Sequence, residues 1–222
     1  EAVHDPLLTH GSQLVLPVAV EVIPIPPPVG EVGKPRSGDE ARLAAEYLFD
    51  HGATRLAVVG SRTEPEHIDS VRDAIEGNAQ LRLRGVLEAC AARGIEFDSR
   101  LVMNTGQDWT IGSGARITQQ LIDSGIPFDG IVAFNDQLAL GALFTLAANG
   151  ISVPDQMQVI GFDNIEEAAY FQPPLTTMDS CLDWIAPTAV SRILDRIDGT
   201  RTLEPSCITV QSRVIARATT RV

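Results

Sequence analysis

Two short polar pairs carry the residue types best suited to chemistry in this chain: Asn135-Asp136 directly after Phe134, and Asp163-Asn164 directly after Phe162. Each pair closes an apolar run, IVAF and VIGF, that reads as a buried strand, so the four polar side chains fall at strand ends. In an open α/β sheet the crevice outside the carboxyl ends of the strands is where small ligands bind. A carboxylate there accepts hydrogen bonds from the vicinal hydroxyls of a sugar or ribose, and a carboxamide both donates and accepts. The local alternatives are structural, since one member of the first pair can cap the following helix and one member of the second can make a turn. Each task needs a single side chain, which leaves the other member of each pair for the crevice.

Catalysis has no comparable support. Carboxylates are plentiful, with 29 Asp and Glu against 17 Lys and Arg, but no pair is set out as general acid and base. The histidines His4, His10, His51 and His67 fall at unrelated positions without HExxH or cysteine-partnered spacing, so no metal is expected. Ser113 lies in GSG rather than in a nucleophile elbow, and neither a Walker loop nor a full GxGxxG is present. The expectation is a binding protein without cofactor, not an enzyme. Cys90, Cys181 and Cys207 are odd in number and lack CxxC spacing, which fits a reducing cytoplasm.

Size and charge narrow the class further. With 222 residues and 44% hydrophobic content the chain can bury a large core. A net charge of −12 weighs against nucleic-acid binding by these residues, because phosphate contacts need clustered Lys and Arg. No apolar run approaches the roughly 20 residues of a membrane span, and the N-terminus lacks the basic-then-apolar order of a signal peptide. Because the sequence starts at Glu1 rather than Met, further residues are expected upstream.

The elements that must position the polar pairs follow from periodicity. Residues 13–25 (QLVLPVAVEVIPI) read as one or two strands that break up in the prolines from Pro24 to Pro28. A helix capped by Ser37 or Asp39 runs to Asp50, Gly52 ends it, and ATRLAVVG is the next strand. The carboxylate-rich stretch SRTEPEHIDSVRDAIEGNAQ is long for a connection and reads as a solvated loop. Helix LRLRGVLEACAARG, strand RLVMN, a loop at Gln107–Trp109 and a helix through Leu121 lead to the central unit of strand, helix and strand. The helix from Gln137 to Asn149 is apolar nearly all round and needs burial on a second side, by another helix or a partner subunit. PPLTTMD then reads as a strand, Trp184 to Ile197 as a helix with Trp184 packed between helix and lobe, and SCITV as a last strand.

The stretch FND..ALGAL..L...G..VPD...VIGFDN.E.A....PPLTT, within Ile131 to Thr177, resembles the effector-binding region of the LacI/GalR family of bacterial transcription regulators. The resemblance runs from about Asp39 to the end and weakens before Pro35, where Pro35, Arg36 and Ser37 replace the family's usual Asp-Asn. It implies an α/β, type I periplasmic-binding-protein-like fold: two lobes of doubly wound parallel sheet around a cleft, the first lobe incomplete here. The implied division puts residues 1–60, with a crossover helix at about 181–199, in the first lobe, and residues 61–180 and 200–222 in the second.

By the same resemblance Arg82, in LRLRG, grips ligand hydroxyls, carbonyls or phosphates with its guanidinium fork, with Arg84 as the solvated competitor. Trp109, in QDWT, presents its ring to the apolar face of a pyranose, the alternative being a core plug beneath its loop. Asn135 is implied as the crevice-facing member of its pair, and Asp163 as the carboxylate that holds the ligand. Leu140 and Phe171 are implied at a homodimer interface. The function implied is the sensing of a small sugar-like effector that modulates operator DNA binding through a helix-turn-helix headpiece outside this chain. A periplasmic sugar-binding protein of a transport system shares the fold and is the alternative, distinguished by a signal peptide upstream.

Overall fold

Alternation along the central strands decides the layering. In the computed structural model, which describes residues 22–24, 37–198 and 212–221, Leu56 and Val58 of β2 (Leu56–Ser61) face one side of the sheet, and Ala57 and Val59 the other. Strands β4 (Gly130–Ala133) and β5 (Gln158–Phe162) divide in the same way, with Val132 and Ile160 on the first face and Ile131 and Val159 on the second. Strands apolar on both faces need helices on both faces. Helices α1 (Ser37–Asp50) and α2 (Asn78–Ala92) cover the first, and α3 (Ile111–Asp123) and α4 (Asp136–Ala148) the second.

The described strands form one sheet in the order β1-β7-β6-β5-β4-β2-β3, where β1 is Val22–Pro24, β3 Val102–Asn104, β6 Thr176–Asp179 and β7 Arg213–Ile215. From β3 to β6 all pairings are parallel, while β7 runs antiparallel to both β6 and β1. Among the described strands β1 stands at the edge of the sheet, where a proline such as Pro24 is tolerated. After β2 the chain goes outward to β3 and then returns to β4 on the other side of β2, which makes the β2/β4 boundary the topological switch point.

Several expectations change here. Helix α1 and strand β2, grouped with a first lobe in the sequence reading, lie in this same layered unit, β2 being hydrogen-bonded between β3 and β4. The all-apolar helix α4 finds its second cover in α3 rather than in a partner. Gly114 and Gly141 let the two helices approach so closely that a Cβ on either would strike the other's backbone. Leu140, expected at a dimer contact, is therefore 2% exposed and belongs to the core of this face. Phe171 is half-buried against the same core. The exposed aromatics nearby in sequence are Phe144 and Tyr170, 63% and 82% accessible.

The acidic stretch after β2 is not a loose loop. It forms 3₁₀ turns over Pro65–Val71, buries Val71 in the α1/α2 core, and is tied down where Arg84 donates to the Ala74 carbonyl. Arg84 thus braces this excursion instead of extending into solvent. Beyond the short helix α5 (Glu166–Tyr170), helix α6 (Leu182–Ile197) carries Trp184, Ile193, Leu194 and Ile197 exposed, so Trp184 is not packed as expected. The expected strand SCITV and most of residues 13–25 lie outside the described residues, and β7 forms after SCITV, where no strand was expected.

Candidate functional site

The parallel register brings the carboxyl ends of β2, β3, β4 and β5 to one rim, where Arg62, Trp109, Asn135 and Asp163 follow them in the chain. Arg82 reaches that rim from α2, with one of the least accessible side chains of any charged residue described. Its Nη1 donates to the carbonyl of Phe134 at the end of β4. Its Nη2 lies 3.8 Å from Asp163 Oδ1. Its Cζ sits 4.2 Å from the Phe162 ring centroid and 5.9 Å from that of Trp109, distances at which an aromatic face attracts a cation. Arg82, Trp109, Asn135 and Asp163 thus form one connected group.

Asn135, expected to face the crevice, takes the capping role, and Asp136 takes neither of the two roles expected for the pair. Asn135 caps α4: its Oδ1 accepts from Leu138 N at 2.8 Å, and its Nδ2 donates to the Trp109 carbonyl at 3.0 Å, holding the Trp109 loop against the helix start. Asp136 turns inward instead. Its Oδ2 accepts from Ile165 N at 2.9 Å and its Oδ1 from Thr177 Oγ1 at 2.6 Å. Position 161 in β5 must be glycine for this, because a Cβ would meet Asp136 Oδ1. Burial pushes the Asp136 carboxyl up to about 7, against the lowering effect of its two hydrogen bonds.

That inward carboxylate fixes the turn that presents Asp163. Asp163 and Asn164 both have positive φ, 102° and 52°, a conformation that costs a non-glycine residue energy and persists where surroundings enforce it. The enforcing contacts are Asp136 on Ile165 N, Arg217 Nη2 on Asn164 Oδ1 at 2.7 Å, and Asp163 N donating to the Met178 carbonyl at 2.9 Å. Held this way, Asp163 remains partly open to solvent beside Arg82. Burial raises its carboxyl above the usual range while Arg82 opposes the rise.

Two buried donors at this rim have no protein partner among the described residues: Arg82 Nε and Trp109 Nε1. Buried donors are nearly always satisfied, so their convergence beside a half-open carboxylate suits a ligand that accepts there and donates to Asp163. Trp109 is half-buried, edge-on to Phe134 at 6.3 Å, with Arg62 over its ring at 5.5 Å; it is at once a plug under its loop and a wall of the rim. No group of three or more His, Cys, Asp or Glu suited to a metal occurs among the described residues.

Sequence reasoning missed Asp136 as a brace, Arg217, Arg62 and Glu40. Asp136 was legible as half of a polar pair, but which half turns inward depends on Thr177 and Gly161 across the sheet. Arg217 lies in an unpatterned tail. Glu40, in the first turn of α1, reads as a helix-dipole complement, yet it is half-buried, accepts a hydrogen bond from the Ser212 hydroxyl and has its carboxyl raised by desolvation.

Comparison with known proteins gives a consistent result. The profile of the periplasmic binding protein-like domain matches residues 45–220. The transcriptional regulator AscG of Escherichia coli is 36% identical over 157 residues, covering 70% of this chain and 43% of AscG. Among solved structures, a LacI-type transcription regulator from Bifidobacterium animalis superposes with a TM-score of 0.76 at 34% identity, over 84% of this chain and 65% of that one. A CelR–cellobiose complex gives 0.68 at 26% identity, over 83% of this chain and 52% of that one. An Enterococcus faecium LacI-family regulator with bound ribose gives 0.67 at 26%, over 84% and 64%. The chain spans about half the length of the curated relatives it matches. With the switch-point site and a profile match over most of its residues, the chain belongs to the periplasmic-binding-protein-like domain family, in the form of the effector-binding domain of LacI/GalR-type transcription regulators.

Proposed function

We propose that the rim around Arg82 and Asp163 binds a small, hydroxyl-rich, sugar-like effector, and that binding modulates operator DNA recognition by a full-length dimeric regulator. The observation that carries the reading is the pairing of a half-open carboxylate with two unpartnered buried donors, Arg82 Nε and Trp109 Nε1, at the topological switch point. Asp163 accepts from vicinal hydroxyls, Arg82 donates to a ring or hydroxyl oxygen, and Trp109 lies against an apolar face of the ring. Asn135 serves by fixing the Trp109 loop, its remaining N–H available to the ligand. Cellobiose and ribose, bound by two similar regulators, belong to this class. The exposed apolar side chains of α6 support its crossing to a first lobe that forms the other wall of the cleft.

Effector and DNA sites coupled in this way are reciprocal, so operator DNA weakens or strengthens effector binding by the same factor. The test is isothermal titration of the full-length protein with neutral mono- and disaccharides, cellobiose and ribose included. A saturable binder whose affinity falls roughly a hundredfold or more in Asp163→Ala, about 2.7 kcal/mol, supports the reading. A folded Asp163→Ala variant that binds like the parent removes the assigned site.

A further inference from the structure

Arg62 stands at the rim without a polar partner. It follows β2 directly, at the switch point, and its neighbours on both sides are buried and tied down. Thr63 N donates to Ser61 Oγ at 2.9 Å, and the Ser61 hydroxyl donates to the Thr63 carbonyl at 3.1 Å. Thr105 N, at the start of the Trp109 loop, donates to the Ser61 carbonyl at 3.0 Å, which joins the two loops. With the backbone pinned before and after it, Arg62 is exposed, and its Cζ stands 5.5 Å from the Trp109 ring centroid.

The other arginines of this region are matched. Arg82, 5.9 Å from the same centroid, lies beside Asp163, and Arg217 donates to Asn164 and to the Leu175 carbonyl. Arg62 forms no ion pair and no hydrogen bond among the described residues. The carboxylates close to Arg62 and Trp109 in the chain are engaged elsewhere, Glu64 accepting from Asn104 Nδ2 at 2.7 Å and Asp108 from the Thr110 hydroxyl at 2.9 Å. What holds Arg62 is its contact with the indole, a weak attraction where solvent reaches it. A ligand that lies against Trp109 must therefore meet Arg62 or displace it. An uncharged ring returns little for the lost contact. An oxyanion on that ring returns more, because the guanidinium fork takes carboxylate or phosphate oxygens in charge-assisted, bidentate hydrogen bonds. Arg62 has no carboxylate to leave first.

We propose that Arg62 is a specificity-determining residue that reads an oxyanion, so that the site prefers sugar derivatives bearing a phosphate or a carboxylate to their neutral parents. The sugar half of this rests on the reading under Proposed function, whereas the oxyanion half does not and is tested without a sugar. In the first arm the full-length protein is titrated with inorganic phosphate, exchanged for chloride at constant ionic strength, while tryptophan fluorescence is followed. The parent shows a saturable change that is lost in Arg62→Gln and in Trp109→Phe. Arg62→Lys, which keeps the charge without the fork, retains a weaker response. In the second arm calorimetry compares glucose with glucuronate and with the phosphate ester of its primary hydroxyl, and ribose with the corresponding phosphate ester. The anionic member binds roughly fivefold or more tighter than its neutral parent. Added salt shrinks the preference, since Arg62 is exposed, and Arg62→Gln reduces it to less than about twofold.

A preference for the phosphate or for the carboxylate alone identifies which oxyanion the site takes. Among sugars that bind, the absence of an anionic preference overturns the proposal and leaves the reading of the Asp163 site intact. So does a preference that survives in Arg62→Gln. Where no member of the panel binds, the phosphate arm decides. A parent without a saturable response, or a response that Arg62→Gln retains, overturns the proposal, while a response that depends on Arg62 sustains the oxyanion role and removes only the sugar reading.

Discussion

The Asp136 carboxylate shows how one residue serves both the fold and the site. It is fully buried, receives Thr177 Oγ1–H and Ile165 N–H, and thereby holds two consecutive residues in left-handed conformations so that Asp163 faces Arg82. Burial pushes its carboxyl up to about 7, well above the ordinary aspartate value. Between those values the folded chain retains a proton that the unfolded chain has released, so this contribution to stability falls as pH rises and levels off above about 7. Glu40 and Asp163 are raised as well and act with the same sign. Urea unfolding from pH 5 to 8 is therefore expected to show stability declining with pH. The slope should be shallower in Asp136→Asn by up to about 1.4 kcal/mol per pH unit. Equal slopes in the two proteins would mean that Asp136 is ionised throughout.

Among the elements, α4 decides most. Its apolar surface is nearly continuous, and a lone sheet would leave half of it wet. Helix α3 covers the other half, seated through Gly114 and Gly141. Leu140 lies inside that seam, so Leu140→Ala is expected to lower stability by about 2–5 kcal/mol through the cavity it leaves. Chemical denaturation measures the loss, and sedimentation of the folded variant should show no change in assembly. Gly141→Val would force the helices apart and destabilise the protein by at least about 1–3 kcal/mol. A neutral result there would contradict the close approach.

For the whole molecule, the proposed dimer would draw on apolar side chains left exposed. One similar structure is that of the lac repressor as a dimer bound to operator, and for the dimer proposed above the exposed side chain of Phe144, on the outer side of α4, is a contact to test. Phe144→Glu is predicted to shift sedimentation from dimer to monomer while leaving the circular dichroism melt unchanged, as Phe144 contributes little to the core. Retention of a dimer by that variant would place the contact elsewhere.

The sequence by itself determined the order of strands and helices, the strand-end position of both polar pairs, and the family, because hydrophobic period and turn chemistry are local and survive without knowledge of neighbours. It also set Asp163 at a rim. Only the tertiary structure decided that Asn135 caps and Asp136 turns inward, that Leu140 is core, that β2 belongs between β3 and β4, and that Glu40 meets Ser212 and Arg217 meets Asn164. Each of these depends on contacts between residues far apart in the chain: Asp136 with Thr177, α4 with α3, Glu40 with Ser212, Arg217 with Asn164. A side chain's direction at a helix start or in an irregular tail is set by the partner across the fold, and periodicity carries no record of that partner.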